Sequence, residues 1–237
     1  MGSSRLPGKI LKRLGEESVL WHVLHRCGAI RGIDLVCCAV PDSPDSDLVA
    51  EEAQRCGVTV VRGAEQDVLA RYYKAAMTVG ADIIIRVTSD CPLIDPEVCA
   101  QVLDLLTDGD LDYACNNMPP AFPLGLDCEA FTAVALAKAA SVARDPYERE
   151  HVTPWLRVQP GIRRANLEGP RAGAAEMRWT LDYPEDLDFF QALFAKLPPP
   201  RAIPGYREVM DILAAHPEIT MINAGCHDAA RLGVPIR

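Results

Sequence analysis

Ile83-Ile84-Ile85-Arg86-Val87-Thr88-Ser89-Asp90-Cys91-Pro92-Leu93-Ile94-Asp95-Pro96 is the stretch whose reading decides the fold. The isoleucines open an apolar run without alternation, the pattern of a strand buried on both faces. Asp95-Pro96 then reads as a helix start, an N-cap acid with proline at the first helical position, and the helix is expected to run to about Leu106. Strand, polar turn and helix in that order make one unit of a parallel sheet with crossover helices. In such sheets ligands collect outside the carboxyl ends of the strands. Asp90 lies in that turn, which makes it a candidate Mg²⁺ ligand, since magnesium takes oxygen donors and keeps room for water and phosphate oxygens. Closing its own turn is the alternative role for Asp90.

Units of the same kind precede it. Leu20, Val23, Leu24 and Cys27 mark an amphipathic helix that Gly28 can end, and a buried strand is expected over Ile33 to Val40. Asp45 can cap a helix carrying Leu48, Val49 and Ala53, stopped by Gly57, after which Val58 to Val61 reads as a strand. Val68, Leu69, Tyr72, Ala76 and Val79 form the next helical face, ending at Gly80. Downstream the pattern loosens. Residues 112 to 131 read as a long loop with short strand signals, of the sort that carries substrate contacts. Met177 to Leu181 reads as a strand, Pro184 opens a helix through Phe189, Phe190 and Leu193, and a proline break at 198–200 precedes a short helix near Tyr206 to Ala215. The expectation is an α/β fold with a mostly parallel sheet flanked by helices. Residues 1–197 would form the main domain, with 112–160 serving an acceptor and dimer contacts, and 198–237 would form a helical extension packed on it.

With 237 residues, 49% of them hydrophobic and 24% charged, the chain can bury a sizeable core. A formal net charge of −9 without any basic run argues against nucleic acid or an anionic membrane as partner, so an anionic substrate must be met by local cations. Nine cysteines, an odd number without paired spacing, read as thiols in a reducing cytoplasm rather than as a disulfide or zinc framework. No stretch approaches the roughly 18 apolar residues of a membrane span, and no signal peptide opens the chain, so a cytoplasmic protein is expected.

Two cations stand at the amino end, in Met1-Gly2-Ser3-Ser4-Arg5-Leu6-Pro7-Gly8-Lys9. Gly2, Ser3, Ser4 and Gly8 leave room for backbone N–H groups to approach an anion, while Arg5 offers a planar fork and Lys9 a point charge. A mobile basic terminus is the plainer alternative. The pattern S-x-R-L-P-G-K resembles the signature loop of the sugar-activating cytidylyltransferases, the CMP-Kdo synthetase group and especially its spore-coat polysaccharide relatives. The resemblance implies a Rossmann-like nucleotide-diphospho-sugar transferase fold in which this loop follows the first β-strand and wraps the triphosphate of CTP. That strand is missing ahead of Met1, and the natural protein is expected to start upstream with five to eight apolar residues.

A second strand-end carboxylate appears in Trp179-Thr180-Leu181-Asp182-Tyr183-Pro184-Glu185-Asp186-Leu187, similar to the family's D-x-P-E-D-L motif. The resemblance implies that Asp90 and Asp182 share the Mg²⁺, with Arg5 and Lys9 as the other catalytic residues, and leaves Glu185 and Asp186 as first-turn acids suited to the helix dipole. Gly125-Leu126-Asp127-Cys128-Glu129 and Asp145-Pro146-Tyr147-Glu148-Arg149-Glu150-His151 resemble the spore-coat branch, which nominates Asp127, Glu129, Glu150 and His151 for the acceptor; dimer contacts for the second segment, a structural role for His151 and closure of its own turn by Asp127 are the alternatives. The implied reaction joins CTP to an acidic sugar of the 3-deoxy-ulosonic or nonulosonic type, giving a CMP-sugar and pyrophosphate, in a homodimer. Rival expectations are a glycosyltransferase on the same fold, a cytidylyltransferase for a phosphonate, and a non-catalytic relative.

Overall fold

Helices begin where a side chain can take up the N–H groups that the first turn leaves unpaired. In the computed structural model, which describes residues 5–170, 173–199 and 202–226, Ser18 caps α1 (Val19–Gly28) by accepting from Trp21 N–H at 3.0 Å. Asp67 caps α3 (Val68–Val79) and Asp95 caps α4 (Pro96–Asp108). Thr132 caps α5 (Ala133–Val142) and Asp145 caps α6 (Pro146–His151). Asp45 does not cap: it sits in a 3-10 turn at Pro44–Ser46, and α2 (Asp47–Arg55) follows with no side-chain cap. Gly80 ends α3 at φ 68, a left-handed conformation that glycine adopts without penalty.

The remaining elements are a short hairpin of β1 (Arg13–Leu14) and β2 (Glu17–Ser18), then β3 (Cys37–Pro41), β4 (Thr59–Gly63), β5 (Ile83–Arg86), β6 (Tyr113–Cys115), β7 (Glu129–Thr132), α7 (Pro154–Val158), β8 (Arg164–Asn166), α8 (Pro184–Phe194), α9 (Tyr206–Ala215) and α10 (Pro217–Thr220). β3 and β4 pair in parallel as one ladder; β5, β7, β6 and β8 form another in that spatial order. β6 and β8 are parallel, but β7 runs antiparallel to both β5 and β6, so the sheet is less parallel than expected. The two ladders stand under one helix, since α3 packs on β3 and β4 and lays the Tyr72 ring 5.9 Å from the Arg86 guanidinium of β5.

Side chains alternate across the sheet with the two-residue period of a strand. Tyr113, Cys115 and Phe131 face a core with Leu69 of α3, Leu136 of α5 and Trp155 of α7. Ala114 and Ala130 face the other core, with Cys99, Val102 and Leu106 of α4. β5 departs from the expectation of full burial: Ile83 is exposed and Ile84, Ile85 and Arg86 are half-buried, because among the described residues β5 has a strand partner on one edge only.

Met177 to Leu181, expected as a strand, is an extended segment with a single parallel bridge, Leu124 to Arg178. Leu124 N–H donates to Met177 O at 2.9 Å and Trp179 N–H to Leu124 O at 2.6 Å. Gly125 makes this approach possible: at φ 113 it lies so close that a Cβ would stand 2.1 Å from the Trp179 carbonyl oxygen. Beneath this segment Trp179, Leu181, Phe189, Phe190, Val209, Leu213 and Ile219 close a core with Leu6 and Leu14, so α8, α9 and α10 are packed on the amino-terminal loop. All nine cysteines are free thiols, and no helix among the described residues is long and apolar enough to cross a membrane.

Candidate active site

Lys9 is the meeting point of the site. A turn through Gly8 at φ 64 leads into a 3-10 turn over Lys9–Leu11, and the buried Leu6 anchors the loop in the core below. Lys9 Nζ donates to Asp90 Oδ2 at 2.6 Å and to Asp182 Oδ1 at 2.8 Å. Asp90, past the end of β5, and Asp182, past the extended segment 177–181, therefore converge on one point, although they stand 92 positions apart in the sequence. Their backbones are tied as well, with Leu181 N–H donating to the Asp90 carbonyl at 2.9 Å and the Thr180 hydroxyl to the same oxygen at 3.4 Å. Burial alone would depress the Lys9 ammonium, but Asp90 and Asp182 more than offset it and hold its pKa above the ordinary value. Desolvation pushes the Asp182 carboxyl up; Lys9 and then Arg178 outweigh it, so the group stays below the usual carboxylate range.

Around this centre lie residues that the sequence reading missed. Arg178 Nη2 reaches Asp182 Oδ2 at 3.0 Å, and its Nε and Nη2 grip Asp186 at 2.8 and 2.9 Å. Asp186, read as a helix-dipole acid, is fully buried: it also accepts from the backbone N–H groups of Asp182 and Tyr183 and from Asn223 Nδ2. It fixes the turn that presents Asp182. Its acceptance from the Tyr183 N–H is half of a capping box, and an acid three residues past the residue before Pro184 is the signal that could have found it. Arg5, half exposed, donates to the Tyr183 hydroxyl at 2.6 Å, lies 4.6 Å over its ring and stands 3.7 Å from Asp182. Arg5 and Lys9 are thus brought to the two aspartates, while Gly2, Ser3 and Ser4 lie outside the described residues.

The acceptor candidates divide. Asp127 lies on the strand-edge loop within electrostatic reach of Cys91, the neighbour of Asp90. Glu129 is not free to meet substrate, because it is 1% exposed and its carboxylate is taken by Arg86, Arg157 and Tyr113. Glu150 and His151 are exposed on α6, which packs on α3 and α7; the His151 ring lies against Tyr147 at 4.3 Å, and no described hydrogen bond or ion pair joins either residue to Lys9, Asp90 or Asp182.

The donor set at Lys9 fits a hard divalent cation: two carboxylates presenting oxygens to one point, with no cluster of three or more His, Cys, Asp or Glu among the described residues that could hold a metal alone. Water and substrate phosphate oxygens would have to complete the coordination of such an ion.

Residues 1–215 match the model of a cytidylyltransferase family. The chain belongs to that family. Over 205 residues, 83% of each chain, this cytidylyltransferase is 33% identical to the spore coat polysaccharide biosynthesis protein SpsF of Bacillus subtilis. A solved cytidylyltransferase from Leptospira borgpetersenii superposes with a TM-score of 0.87 at 31% identity, covering 93% of this chain and 92% of that one. A CMP-2-keto-3-deoxy-manno-octonic acid synthetase solved with CTP shares the fold at a TM-score of 0.63 and 21% identity, over 82% of this chain and 95% of that one. The cytidylyltransferase is accordingly a nucleotidyltransferase with a Rossmann-like α/β fold, and the loop, Asp90 and Asp182 all lie within the matched residues.

Proposed function

We propose that this enzyme transfers a cytidylyl group from CTP to an acidic sugar of the 3-deoxy-ulosonic or nonulosonic type, or to a related anionic acceptor, releasing pyrophosphate. The observation that carries the reading is the convergence of Asp90 and Asp182 on Lys9, with Arg5 beside them. Two carboxylates and two cations at one point match a reaction whose demands are positioning and charge neutralisation rather than covalent help. An acceptor hydroxyl attacks the α-phosphorus in line, the bond from that phosphorus to the bridging oxygen of the β-phosphate breaks, and the hydroxyl proton passes to solvent. Asp90 and Asp182 would hold Mg²⁺, which when bound neutralises charge on the phosphates. Arg5 binds the outer phosphates through its fork. Lys9 is drawn off the aspartates as phosphate enters and turns its ammonium to the β- and γ-phosphates. Asp186 and Arg178 keep the Asp182 carboxylate aimed throughout.

The test is a pyrophosphate-release screen of the four nucleoside triphosphates against sugar acids and phosphonates. CTP with an acidic acceptor is the expected active pair, and Asp90→Ala or Asp182→Ala is expected to cost on the order of a hundredfold in turnover with melting temperature preserved. Nucleotide binding without pyrophosphate release from any pair overturns the reading.

A further inference from the structure

Arg86, Arg157 and Glu129 form a charge cluster that the chemistry above leaves unused. Register places Arg86 of β5 opposite Glu129 of β7, and Arg86 Nη1 donates to Glu129 Oε2 at 2.7 Å. Arg157 of α7 approaches from the other side, its Nε and Nη2 donating to Oε1 at 3.1 and 2.6 Å, and the Tyr113 hydroxyl adds a bond at 2.5 Å. Two guanidiniums share one carboxylate. No other acid pairs with either arginine among the described residues, so the cluster carries an uncompensated positive charge. One of its donors is also unmet: Arg86 Nε is buried with no hydrogen-bond partner among the described residues, while Arg157 Nη2 makes its second bond, to Asn117 Oδ1, at 3.3 Å. Glu129 would be paired by Arg86 and Tyr113 alone, so the second arginine exceeds what neutrality of the sheet needs.

Topology puts the cluster on the same edge of the sheet as Asp90. β5 and β6 both run antiparallel to β7, and β8 runs parallel to β6, so Arg86, Cys115 and Asn166 stand at carboxyl ends on one edge of the sheet. Asp90 follows Arg86 by four residues on that same edge. Asn166 Oδ1 accepts from Met118 N–H at 2.7 Å, which tethers the loop carrying Asn117, and Arg157 keeps 29% of its side chain open to solvent.

We propose that Arg157 and Arg86, oriented by Glu129, bind the carboxylate or phosphonate of the acceptor, a specificity role that rests on the cytidylyl-transfer reading. A planar fork in a half-buried setting recognises a planar or tetrahedral oxyanion through paired N–H bonds, which a lysine cannot reproduce. The cluster would supply the local cation that a chain of net charge −9 needs for an anionic acceptor.

The experiment measures binding by calorimetry to the full chain. The probes are 3-deoxy-manno-octulosonate, N-acetylneuraminate, the methyl ester of each, and phosphonoacetate, all in the presence of an α,β-methylene analogue of CTP. At least one acid is expected to bind, its ester about tenfold or more weaker, and Arg157→Gln and Arg157→Lys to lose about tenfold for the acid while the nucleotide analogue binds within about twofold of the parent. A melting temperature matched to the parent separates this from misfolding, and Arg86→Gln, which leaves Glu129 paired with Arg157, gives the same loss if the two act together. An acid that binds parent and Arg157→Gln equally, or an analogue that binds while no acid does at millimolar concentration, overturns the acceptor role. Failure of the CTP analogue itself overturns the nucleotide reading on which the role rests.

Discussion

Lys9 and a divalent cation compete for the same two carboxylates. With Nζ at 2.6 Å from Asp90 and 2.8 Å from Asp182, the ammonium occupies the point where an ion would be held, and it keeps two like charges together until substrate arrives. Lys9→Met is therefore expected to bind Mn²⁺ without nucleotide at least about threefold more tightly than the parent, by electron paramagnetic resonance, although phosphate handling suffers; equal affinity would show that the carboxylates do not share the ion. Glu129 gives a second residue-scale outcome. Desolvation would raise its carboxyl, but Arg86 and Arg157 reverse this and hold it at about 2, against an ordinary value of 4.5. Its folded-state pKa is depressed, so its contribution is fully present above about pH 4.5 and is lost as pH falls toward 2. Glu129→Gln is expected to lower stability at pH 7 by about 3 kcal/mol, with the gap closing in urea melts at pH 3. At this scale Asp90 and Asp182 were legible in the sequence because each follows an apolar run. Arg178 and Asn223 were not, because their role appears only when α8 and the chain end pack around Asp186.

Elements with a cap and a long apolar face were the readable ones. α4 starts at Pro96 after Asp95, and α9 spans Tyr206–Ala215, both as the spacing implies. β6 and β8 have three residues each, too few for a period of two to show, and the antiparallel course of β7 depends on a long return loop that no local pattern encodes. The misread strand at Met177 to Leu181 has the right composition but finds only the loop at Leu124 beside it. That contact gives a test of how the loop positions the site. Gly125→Ala places a methyl against the Trp179 carbonyl at a φ that disfavours side chains, and the segment leading to Asp182 must move. A loss of about 2 kcal/mol or more in thermal melts is expected, together with a fall in turnover, whereas Gly161→Ala, with open space around it, should affect turnover little.

Across the whole molecule the sheet is divided. Among the described residues β3 pairs only with β4, and β5 only with β7, yet α3 covers β3 and β4 and its Tyr72 reaches Arg86 of β5. The edges left without a strand partner carry Cys37, Cys38, Ala39, Ile84 and Ile85, all half-buried apolar positions that one more strand would cover. The Arg5–Lys9 loop ends at Asp90, on the carboxyl edge of β5, so a strand lying parallel to β5 and leading into that loop has the polarity this place requires. An apolar extension of about five to eight residues joined ahead of Met1 is therefore expected to insert, pair its backbone on both sides and bury those side chains. A gain of about 2 kcal/mol corresponds to roughly 4–8 °C in melting temperature for a chain of this size. The comparison is with the same extension carrying a central proline, which has no N–H to donate to a neighbouring strand. If the two extended chains melt together, and no higher than the parent, the divided sheet needs no further strand and its exposed edges are a stable feature of the fold.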